Sequence, residues 1–312
     1  MTDDTNTTEY KMPETVKCGY VTIAGRPNAG KSTLLNNILE QKVSIVTRKP
    51  QTTRDRILAV YNSDEAQIVF LDTPGIHIPK DGLGKHMNDT AQNAMSEADV
   101  CLWMIDVNDK SRETGLTKAE LAIAGQIKDL GIPTVIGVNK VDVMKSKKTL
   151  LPLIDELFKL QLADIIVPLS ALKGESVDTL LKEIIEKLPT GPRLFPEEML
   201  SDRGNSFFVA ELVREAITNI THNEVPYRTA VVIDSFKKLQ KGYTIFASIH
   251  IETKGQKAII IGKGGEMLKV IREAATKEAE TMLNTKVNLR LHVNVSPNWS
   301  TNPAGLKKMG YE

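Results

Sequence analysis

The segment from Gly25 to Ser32 reads GRPNAGKS and fits the pattern G-x-x-x-x-G-K-[ST]. It follows an apolar run and opens a helical pattern, and in that context such a loop wraps phosphate groups with its backbone N–H groups. We expect Lys31 to reach the β- and γ-phosphates of a nucleotide and Ser32 to bind Mg²⁺. The predicted nucleotide-binding loop comprises Gly25, Arg26, Pro27, Asn28, Ala29, Gly30, Lys31, Ser32 and Thr33.

A second motif, DTPG, ends the apolar run AQIVFLD and comprises Asp72, Thr73, Pro74 and Gly75. At this distance from the phosphate loop, the carboxylate of Asp72 is expected to hold Mg²⁺ through a water molecule. The N–H group of Gly75 is expected to meet the γ-phosphate. We therefore place all four residues in the nucleotide site, and Lys31, Asp72 and Gly75 among the catalytic residues.

The segment QTTRD, from Gln51 to Asp55, lies between the phosphate loop's helix and the next strand, where a nucleotide-dependent switch loop must sit. A threonine there is expected to complete the Mg²⁺ site and the catalytic set. We predict Thr53 for this role, with Thr52 as the alternative. A polar loop that only faces solvent is the simpler interpretation of the same residues.

The motif NKVD follows the apolar run TVIGV, begins at Asn139 and predicts which base is bound. Guanine presents N1–H and a 2-amino group side by side, so the single carboxylate of Asp142 can accept from both. Adenine would leave that charge unpaired, and selectivity of this kind can reach about 10⁴-fold. Asn139 is expected to brace the loop, and Lys140 to lie along the base.

A fourth motif, SAL, begins at Ser170 after the last strand of this region. Ser170 and Ala171 are predicted to belong to the site, and the N–H group of Ala171 is expected to meet the guanine O6. Four motifs in this order on successive strand ends predict a protein that binds GTP and GDP with Mg²⁺ and hydrolyses GTP.

Residues 17–190 alternate short β-rich runs with helical patterns, which is typical of a mostly parallel sheet flanked by helices. Residues 1–16 are predicted to be a flexible tail, and residues 191–205 a linker rich in proline and glycine. The predicted strands are Tyr20–Gly25, Ile57–Tyr61, Ala66–Asp72, Val100–Asp106, Thr134–Asn139 and Ile165–Ser170. The predicted helices include Lys31–Glu40, Thr117–Leu130, Thr149–Leu160 and Val177–Leu188.

Residues 206–312 carry 15 Lys and Arg against 10 Asp and Glu, whereas residues 1–190 carry 23 against 26. A basic last third suggests contact with a polyanion, although basic surfaces also occur without one. A strand-to-helix transition is expected at Gly262, Lys263, Gly264 and Gly265. The other predicted elements are helices Phe207–Thr221 and Glu266–Leu283 and strands Thr229–Gln240, Tyr243–Thr253 and Asn288–Val295.

The segments GRPNAGKST, SIVTRKPQTTRDRI, FLDTPGIH and NKVD together resemble the Era family of bacterial GTPases, from about Cys18 to the C-terminus. The stretch GQKAIIIGKGGEMLKVIREAATKEAETML is similar to that family's KH domain. The resemblance implies an α/β P-loop NTPase domain at residues 17–190 and an α+β KH domain of type II at residues 206–312. The GKGG loop (Gly262–Gly265) is then implied to clamp about four nucleotides of single-stranded RNA. Gly264 and the tail SPNWSTNPAGLKKMGY depart from the family's usual pattern.

The resemblance further implies binding to the 3′ end of small-subunit ribosomal RNA, a role in maturation of the 30S subunit, and peripheral association with the membrane. We expect a monomer. Two rival interpretations stay open. One is a GTPase signalling switch whose C-terminal domain binds a different RNA or a protein, and the other is an RNA-binding module that binds nucleotide without turnover.

Hydrolysis depends on how the attacking water is oriented. In Ras-type GTPases a glutamine just after the DxxG motif does this, but here that position is Ile76, and the neighbouring polar side chain is His77. Intrinsic hydrolysis is therefore expected to be slow unless another group stabilises the transferring phosphate. The PNAGKS segment resembles GTPases in which an asparagine helps to hold K⁺, so Asn28 is a candidate for that role. The simpler interpretation is that Asn28 only shapes the loop.

Hydrophobic residues make up 41% of the chain and charged residues 25%, which argues against disorder of the whole chain. The first 16 residues are polar and acidic, and no run of 18 apolar residues occurs, so we expect a cytoplasmic protein. Cys18 and Cys101 lie in apolar runs, which favours buried thiols over a cross-link. His86, His222, His250 and His292 lack the spacing of a metal site.

Overall fold

The computed structural model describes residues 15–47, 49–50, 52–76, 79, 81–109, 111–112, 115–144, 146 and 150–311. The first sheet is built from β1 (Thr15–Gly25), β2 (Ile57–Asn62), β3 (Ala66–Asp72), β4 (Val100–Asp106), β5 (Thr134–Asn139), β6 (Ile166–Leu169) and β7 (Thr190–Pro192). Its strand order is β2-β3-β1-β4-β5-β6, and β7 pairs with the start of β1. Only β2 and β7 are antiparallel to their neighbours, so the predicted mostly parallel sheet is confirmed.

Helices cover both faces of this sheet. They are α1 (Lys31–Ile38), α2 (Gly82–Ser96), α3 (Lys118–Leu130), α4 (Leu151–Lys159) and α5 (Val177–Lys187). Apolar side chains of α1 and α5 pack on one face, and those of α3 and α4 pack on the other. Because parallel strands end at the same edge, the four sequence motifs all follow strands at one edge of the sheet.

The second domain contains α6 (Asn205–Ile220), β8 (Ala230–Leu239), β9 (Gly242–Ile251), α7 (Lys254–Ile261), α8 (Glu266–Leu283), β10 (Val287–Val295) and α9 (Pro303–Lys308). Its sheet has the order β10-β9-β8, with β8 antiparallel and β10 parallel to β9. Helices α6, α7 and α8 pack against one face of the sheet around an apolar core. This α-β-β-α-α-β order is the expected α+β KH arrangement of type II.

The GKGG loop joins two helices, so the expected strand-to-helix transition is wrong. The isoleucines at positions 259–261 favour a strand, but Thr253 forms a capping box that starts α7. Its hydroxyl accepts from the Gln256 N–H at 3.2 Å, and the Gln256 side chain accepts from the Thr253 N–H at 3.2 Å. A well-capped start therefore overrides the local β propensity.

The segment predicted as a linker lies along the first domain. Leu200 accepts a hydrogen bond from the Val60 N–H at 2.9 Å, and Ser201 bridges to Ala59, so the segment covers the outer edge of β2. Phe195 and Met199 pack against side chains of β2 and β3. Coverage of this kind protects an edge strand, whose unpaired N–H groups would otherwise remain exposed.

Both cysteines, Cys18 and Cys101, are free and buried, which confirms the expectation. Burial raises the pKa of the Cys101 thiol to about 12. None of the helices in the described part of the chain combines the length and the apolar composition needed to cross a bilayer.

Candidate nucleotide and RNA sites

The phosphate loop connects β1 to α1 and lines an open cleft of about 760 Å³. Gly30 precedes the first residue of α1 with a left-handed φ of 95°. A Cβ atom at this position would collide with the side-chain amide of Asn139. Glycine is required here on both counts, and its absence of a side chain lets the NKVD loop approach the phosphate loop.

Lys31 is buried at the bottom of the cleft, 6% exposed. Its ammonium group donates to the carbonyl oxygens of Gly25 and Arg26 at 3.3 Å each. Burial lowers the pKa of Lys31 to about 8, although the nearby Asp72 carboxylate opposes this shift. Lys31 therefore provides a cation held by weak partners, which phosphate oxygens can replace.

Three oxygen-bearing side chains meet beside Lys31, and together they fit a hard cation such as Mg²⁺. The Ser32 hydroxyl donates to Asp72 Oδ2 at 2.9 Å and lies 3.1 Å from Thr53 Oγ1. Among the described residues, Asp72 Oδ1 is a buried oxygen without a hydrogen-bond partner. Burial raises the pKa of Asp72, opposed first by the charge of Lys31. A bound divalent cation would stabilise this buried carboxylate.

The structure distinguishes between the two candidate threonines of the switch loop, residues 42–55. Thr53 is buried and faces Ser32. Thr52 instead donates from its hydroxyl to the carbonyl of Lys49 at 2.8 Å and lies 2.7 Å from the Thr47 hydroxyl. The geometry therefore favours Thr53 as the ligand. Gln51, the first residue of the QTTRD segment, lies outside the described residues.

Asn139 holds the base side of the cleft together. Its side-chain amide donates to the carbonyl of Ala29 at 2.8 Å, and its Oδ1 accepts from the Ala171 N–H at 2.9 Å. The second bond occupies the N–H group that we expect to meet the guanine O6, so that contact stays a prediction. Lys140 lines the cleft and pairs with Asp106 at 2.6 Å, while Asp142 is exposed.

The DTPG motif closes the phosphate side of the cleft. A Cβ atom at Gly75 would lie 2.6 Å from the backbone nitrogen of Pro27, so the two loops touch. Ile76 also lines the cleft, whereas His77 lies outside the described residues. The predicted phosphate and metal residues are thus brought together at one cleft, which Lys140 of the NKVD motif also lines, whereas Asp142 is not among its lining residues. The GKGG loop lies in the other domain.

Ser44, Asp109 and Ser111 contact predicted site residues but were not identified from the sequence. The Ser44 hydroxyl donates to Asp72 Oδ2 at 2.8 Å. Arg26 pairs with Asp109 and donates to the Ser111 hydroxyl at 2.9 Å. Only their positions in the chain could have indicated them. Ser44 lies in the switch loop, and Asp109 follows β4 at the sheet edge where the motifs meet.

The switch loop is also bound to the KH domain, which sequence analysis did not anticipate. Arg54, the residue after Thr53, is 3% exposed. Its guanidinium donates to the carbonyls of Thr229 and Pro226 at 2.6 and 2.9 Å and to the Tyr311 hydroxyl at 2.9 Å. Burial and these neighbouring groups make Arg54 a fixed link between the nucleotide cleft and the second domain.

Further contacts join the switch loop to α6. Glu215 of this helix accepts from the Lys42 ammonium at 2.6 Å and from the Val46 N–H at 3.0 Å. Burial lowers the pKa of Lys42, but its hydrogen bonds to Glu215 and Glu278 outweigh this effect and raise it overall. The Glu215 side chain is only 9% exposed, so loss of Lys42 would leave a nearly buried carboxylate without its ion-pair partner.

Helix α2, which follows the DTPG motif, packs on the C-terminal segment (residues 299–311). Leu83 and Met87 share an apolar cluster with Trp299 and Tyr311. The Leu83 N–H donates to the carbonyl of Ser300 at 2.9 Å. Both nucleotide-proximal segments, the switch loop and α2, therefore contact the KH domain.

The GKGG loop is packed on one side and open on the other. A Cβ atom at Gly262 would lie 2.6 Å from Met267 Cβ, whereas nothing lies within 4 Å of such an atom at Gly264 or Gly265. Gly264 has a left-handed φ of 62°, which accounts for a glycine at this position. The side chain of Lys263 is exposed. The start of α8 therefore offers open space beside two glycines and one exposed cation, Lys263.

Comparison with known proteins agrees with this two-part arrangement. Residues 20–140 match a family described as 50S ribosome-binding GTPase, and residues 224–300 match the KH domain. The GTPase Era of Geotalea uraniireducens is 44% identical over 298 residues, which cover 95% of this chain and 98% of that protein. The chain belongs to the Era family of GTPases. The GTPase Era of Clostridium botulinum is 43% identical over 300 residues, with coverage of 95% and 98%.

Two solved Era structures superpose with a TM-score of 0.89 at 44% identity and cover 95% of this chain and 99% of theirs. One is an Aquifex aeolicus Era variant bound to GDP and aluminium fluoride. The other is Era in complex with MgGDPNP and nucleotides 1506–1542 of 16S ribosomal RNA. The predicted P-loop GTPase fold with a KH domain is confirmed, and as a member of the Era family the chain is a GTPase.

Proposed function

We propose that this Era-family GTPase binds the 3′ region of 16S ribosomal RNA under the control of GTP and acts in assembly of the small ribosomal subunit. The observation that carries the proposal is the position of Arg54. This residue follows the candidate metal ligand Thr53 in the switch loop, and its side chain is buried against the KH domain. Support for the RNA comes from the solved Era complex with nucleotides 1506–1542. An rRNA target implies action in the cytoplasm; peripheral membrane association stays a prediction.

For nucleotide binding, we propose that Lys31 contacts the β- and γ-phosphates and that Ser32, Thr53 and Asp72 hold Mg²⁺. The metal would neutralise charge on the phosphates and orient them for attack by water. Ser32 and Ser44 already fix the Asp72 carboxylate by hydrogen bonds. The Gly75 N–H would add a donor at the γ-phosphate, close to the phosphate loop.

For base selection, we propose that the exposed carboxylate of Asp142 accepts from the two donors of guanine. The variant Asp142→Asn presents one donor and one acceptor, so it should lose affinity for GTP and gain affinity for XTP, which has a carbonyl in place of the 2-amino group. Competition binding with both nucleotides measures the change. An unaltered preference for GTP would remove Asp142 from the base site.

For hydrolysis, we propose that a potassium ion near Asn28 stabilises the transferring phosphate, since Ile76 has no hydrogen-bonding side chain. Asn28 lines the cleft in a left-handed conformation with φ of 66°. Turnover should be faster in K⁺ than in Na⁺ at equal ionic strength, and Asn28→Ala should lose the difference. Equal rates in both salts would overturn this role.

For RNA binding, we propose that the GKGG loop holds the nucleic-acid backbone through Gly262, Lys263, Gly264 and Gly265. The test compares binding of nucleotides 1506–1542 of 16S ribosomal RNA with a scrambled RNA of equal length, at several salt concentrations. Preferential binding of the ribosomal segment supports the proposal. Equal binding of both RNAs would favour a different RNA target, and binding of neither would remove the RNA function.

A further inference from the structure

The sheet of the KH domain has a second face, which points away from α6 and α8. Side chains on β9 alternate, and Ile245 and Ile249 are buried among the helices whereas Phe246 lies on the opposite face. The strand register places Arg290 of β10 directly beside Phe246, and Asn288 beside Thr244. These residues define the outer face of the sheet.

One end of this outer face is already covered. Ala230 of β8 is buried in a cluster with Trp299, Leu306 and Tyr311 of the C-terminal segment, and Val232 packs against the same cluster. The cover stops there. Phe246, further along the sheet, is 38% exposed.

Phe246 is not packed as a core residue. The guanidinium of Arg290 lies over its ring, with Cζ 5.4 Å from the ring centroid, and Arg290 is itself exposed. An aromatic ring flanked by an arginine on an open sheet offers a stacking surface for an unpaired base. Other single-stranded RNA-binding sheets use exposed aromatic rings in this way.

The charge around Phe246 suits a polyanion. Exposed cations lie around this end of the outer face, on β8, on the β8–β9 turn, before β10 and on β10: Lys237, Lys241, Lys286 and Arg290. Two carboxylates lie nearby: Asp234 accepts a hydrogen bond from the Ser248 hydroxyl at 2.8 Å, and Glu280 pairs with Lys286 at 3.5 Å. Four cations against two engaged carboxylates leave a positive surface.

The outer face is also continuous with the GKGG loop. Helix α7 ends at that loop and packs against β10, which is the edge strand of the sheet. Arg290 lies on this edge strand, and Phe246 lies on the next strand, about 4.8 Å further in. A strand of RNA that leaves the clamp can therefore cross the edge of β10 and reach the outer face.

We propose that the outer face at Phe246 and Arg290 is a second RNA contact, which stacks an unpaired base of the RNA that the GKGG loop holds. The inference rests on the proposed RNA function. Phe246 would supply the stacking surface, Arg290 would stack beside it and contact phosphate, and Lys237 would add a phosphate contact. The contact extends the bound RNA beyond the four nucleotides of the clamp.

The test measures binding of nucleotides 1506–1542 of 16S ribosomal RNA to the full chain by fluorescence anisotropy. Phe246→Ala should weaken binding about 5- to 150-fold, the range for loss of one stacked base. It removes no charge, so the dependence of affinity on salt should keep its slope. Arg290→Ala should weaken binding and also reduce the magnitude of that slope by about 0.7.

Phe158→Ala is the matched control, because Phe158 is 50% exposed on α4 of the GTPase domain. It should bind this RNA as the wild type does. Phe246→Tyr keeps the ring and should retain affinity. The melting temperature of each variant shows whether the fold is intact, and we expect little change because Phe246 is partly exposed.

Wild-type affinity in Phe246→Ala would overturn the proposal and leave the outer face to a protein partner. A loss of affinity equal to that of Phe158→Ala would overturn it as well. These outcomes are separable from failure of the proposed function, in which the wild type itself would not prefer this RNA over a scrambled sequence.

Discussion

The two glycine loops of this chain differ in how closely the protein surrounds them. In the phosphate loop, a Cβ atom at Gly25 would lie 2.5 Å from the Met104 carbonyl, and one at Gly30 would meet Asn139. In the GKGG loop, the corresponding space at Gly264 and Gly265 is empty to 4 Å. The first loop is therefore shaped by the protein before any ligand binds, whereas the second leaves its open side to the ligand.

The largest expected effect breaks the enclosed loop. Gly30→Ala forces a side chain into a left-handed conformation and displaces Asn139 from the Ala29 carbonyl, which together cost about 2–4 kcal/mol. Affinity for GDP should fall roughly 30- to 900-fold. Gly264→Ala is the control in the open loop and should leave GDP binding unchanged. GDP binding by Gly30→Ala within about threefold of wild type would contradict the enclosed-loop account.

The next effect concerns the open loop. Gly264→Asp places a carboxylate where RNA phosphate is expected, in a conformation that Asp and Asn tolerate, and RNA affinity should fall on the order of tenfold or more. Gly264→Asn has the same shape without the charge and should bind much more tightly than the Asp variant. Binding assays on both proteins decide this, and equal affinities would show that no phosphate lies there. Gly262 is unsuitable for this test because Met267 fills the space beside it.

These two loops also show how far sequence reasoning reaches. GRPNAGKS and NKVD predict a nucleotide cleft because their residues act locally, at the ends of strands that must be adjacent. The expected strand before Gly262 was wrong because Thr253 and Gln256 cap a helix there. The contact between Arg54 and the KH domain joins residues 175 positions apart, and no local pattern encodes such a pairing.

The domain boundaries illustrate the same limit. Proline and glycine in residues 191–205 predict a linker, and the structure shows that segment bound along β2 through Leu200 and Ser201. Helix α2 was not predicted, since Gly82 and Gly84 weaken its helical pattern. A Cβ atom at Gly82 would lie 3.0 Å from the Thr301 carbonyl oxygen, so glycine allows α2 to approach the C-terminal segment closely. The glycine at the start of α2 is thus explained by tertiary packing against the C-terminal segment, which the local sequence does not show.

The smallest expected effect is a pH dependence of GDP affinity that comes from Lys31 in the enclosed loop. Burial holds the pKa of Lys31 at about 8 in the free protein, and bound phosphates should raise it, so binding above pH 8 takes up a proton. Affinity for GDP should be nearly flat below pH 8 and fall by up to about tenfold per unit above it. Calorimetry in buffers of different ionisation enthalpy measures the uptake. Lys31→Arg stays protonated in the free protein, so it should show no such proton uptake when GDP binds. Identical proton uptake in both proteins would contradict the assignment of the uptake to Lys31.

We propose that the enclosed nucleotide loop controls the open RNA loop through Arg54. The decisive measurement is the affinity for nucleotides 1506–1542 of 16S ribosomal RNA with a GTP analogue and with GDP, in wild type, Arg54→Ala and Arg56→Ala. Arg56 is the control, because it pairs with Glu97 inside the GTPase domain. In wild type and in Arg56→Ala, we predict that the free energy of RNA binding differs between the GTP-analogue and GDP states by about 1–3 kcal/mol. Arg54→Ala should still bind nucleotide but lose most of this difference. Equal RNA affinities in both nucleotide states of the wild type would contradict the account.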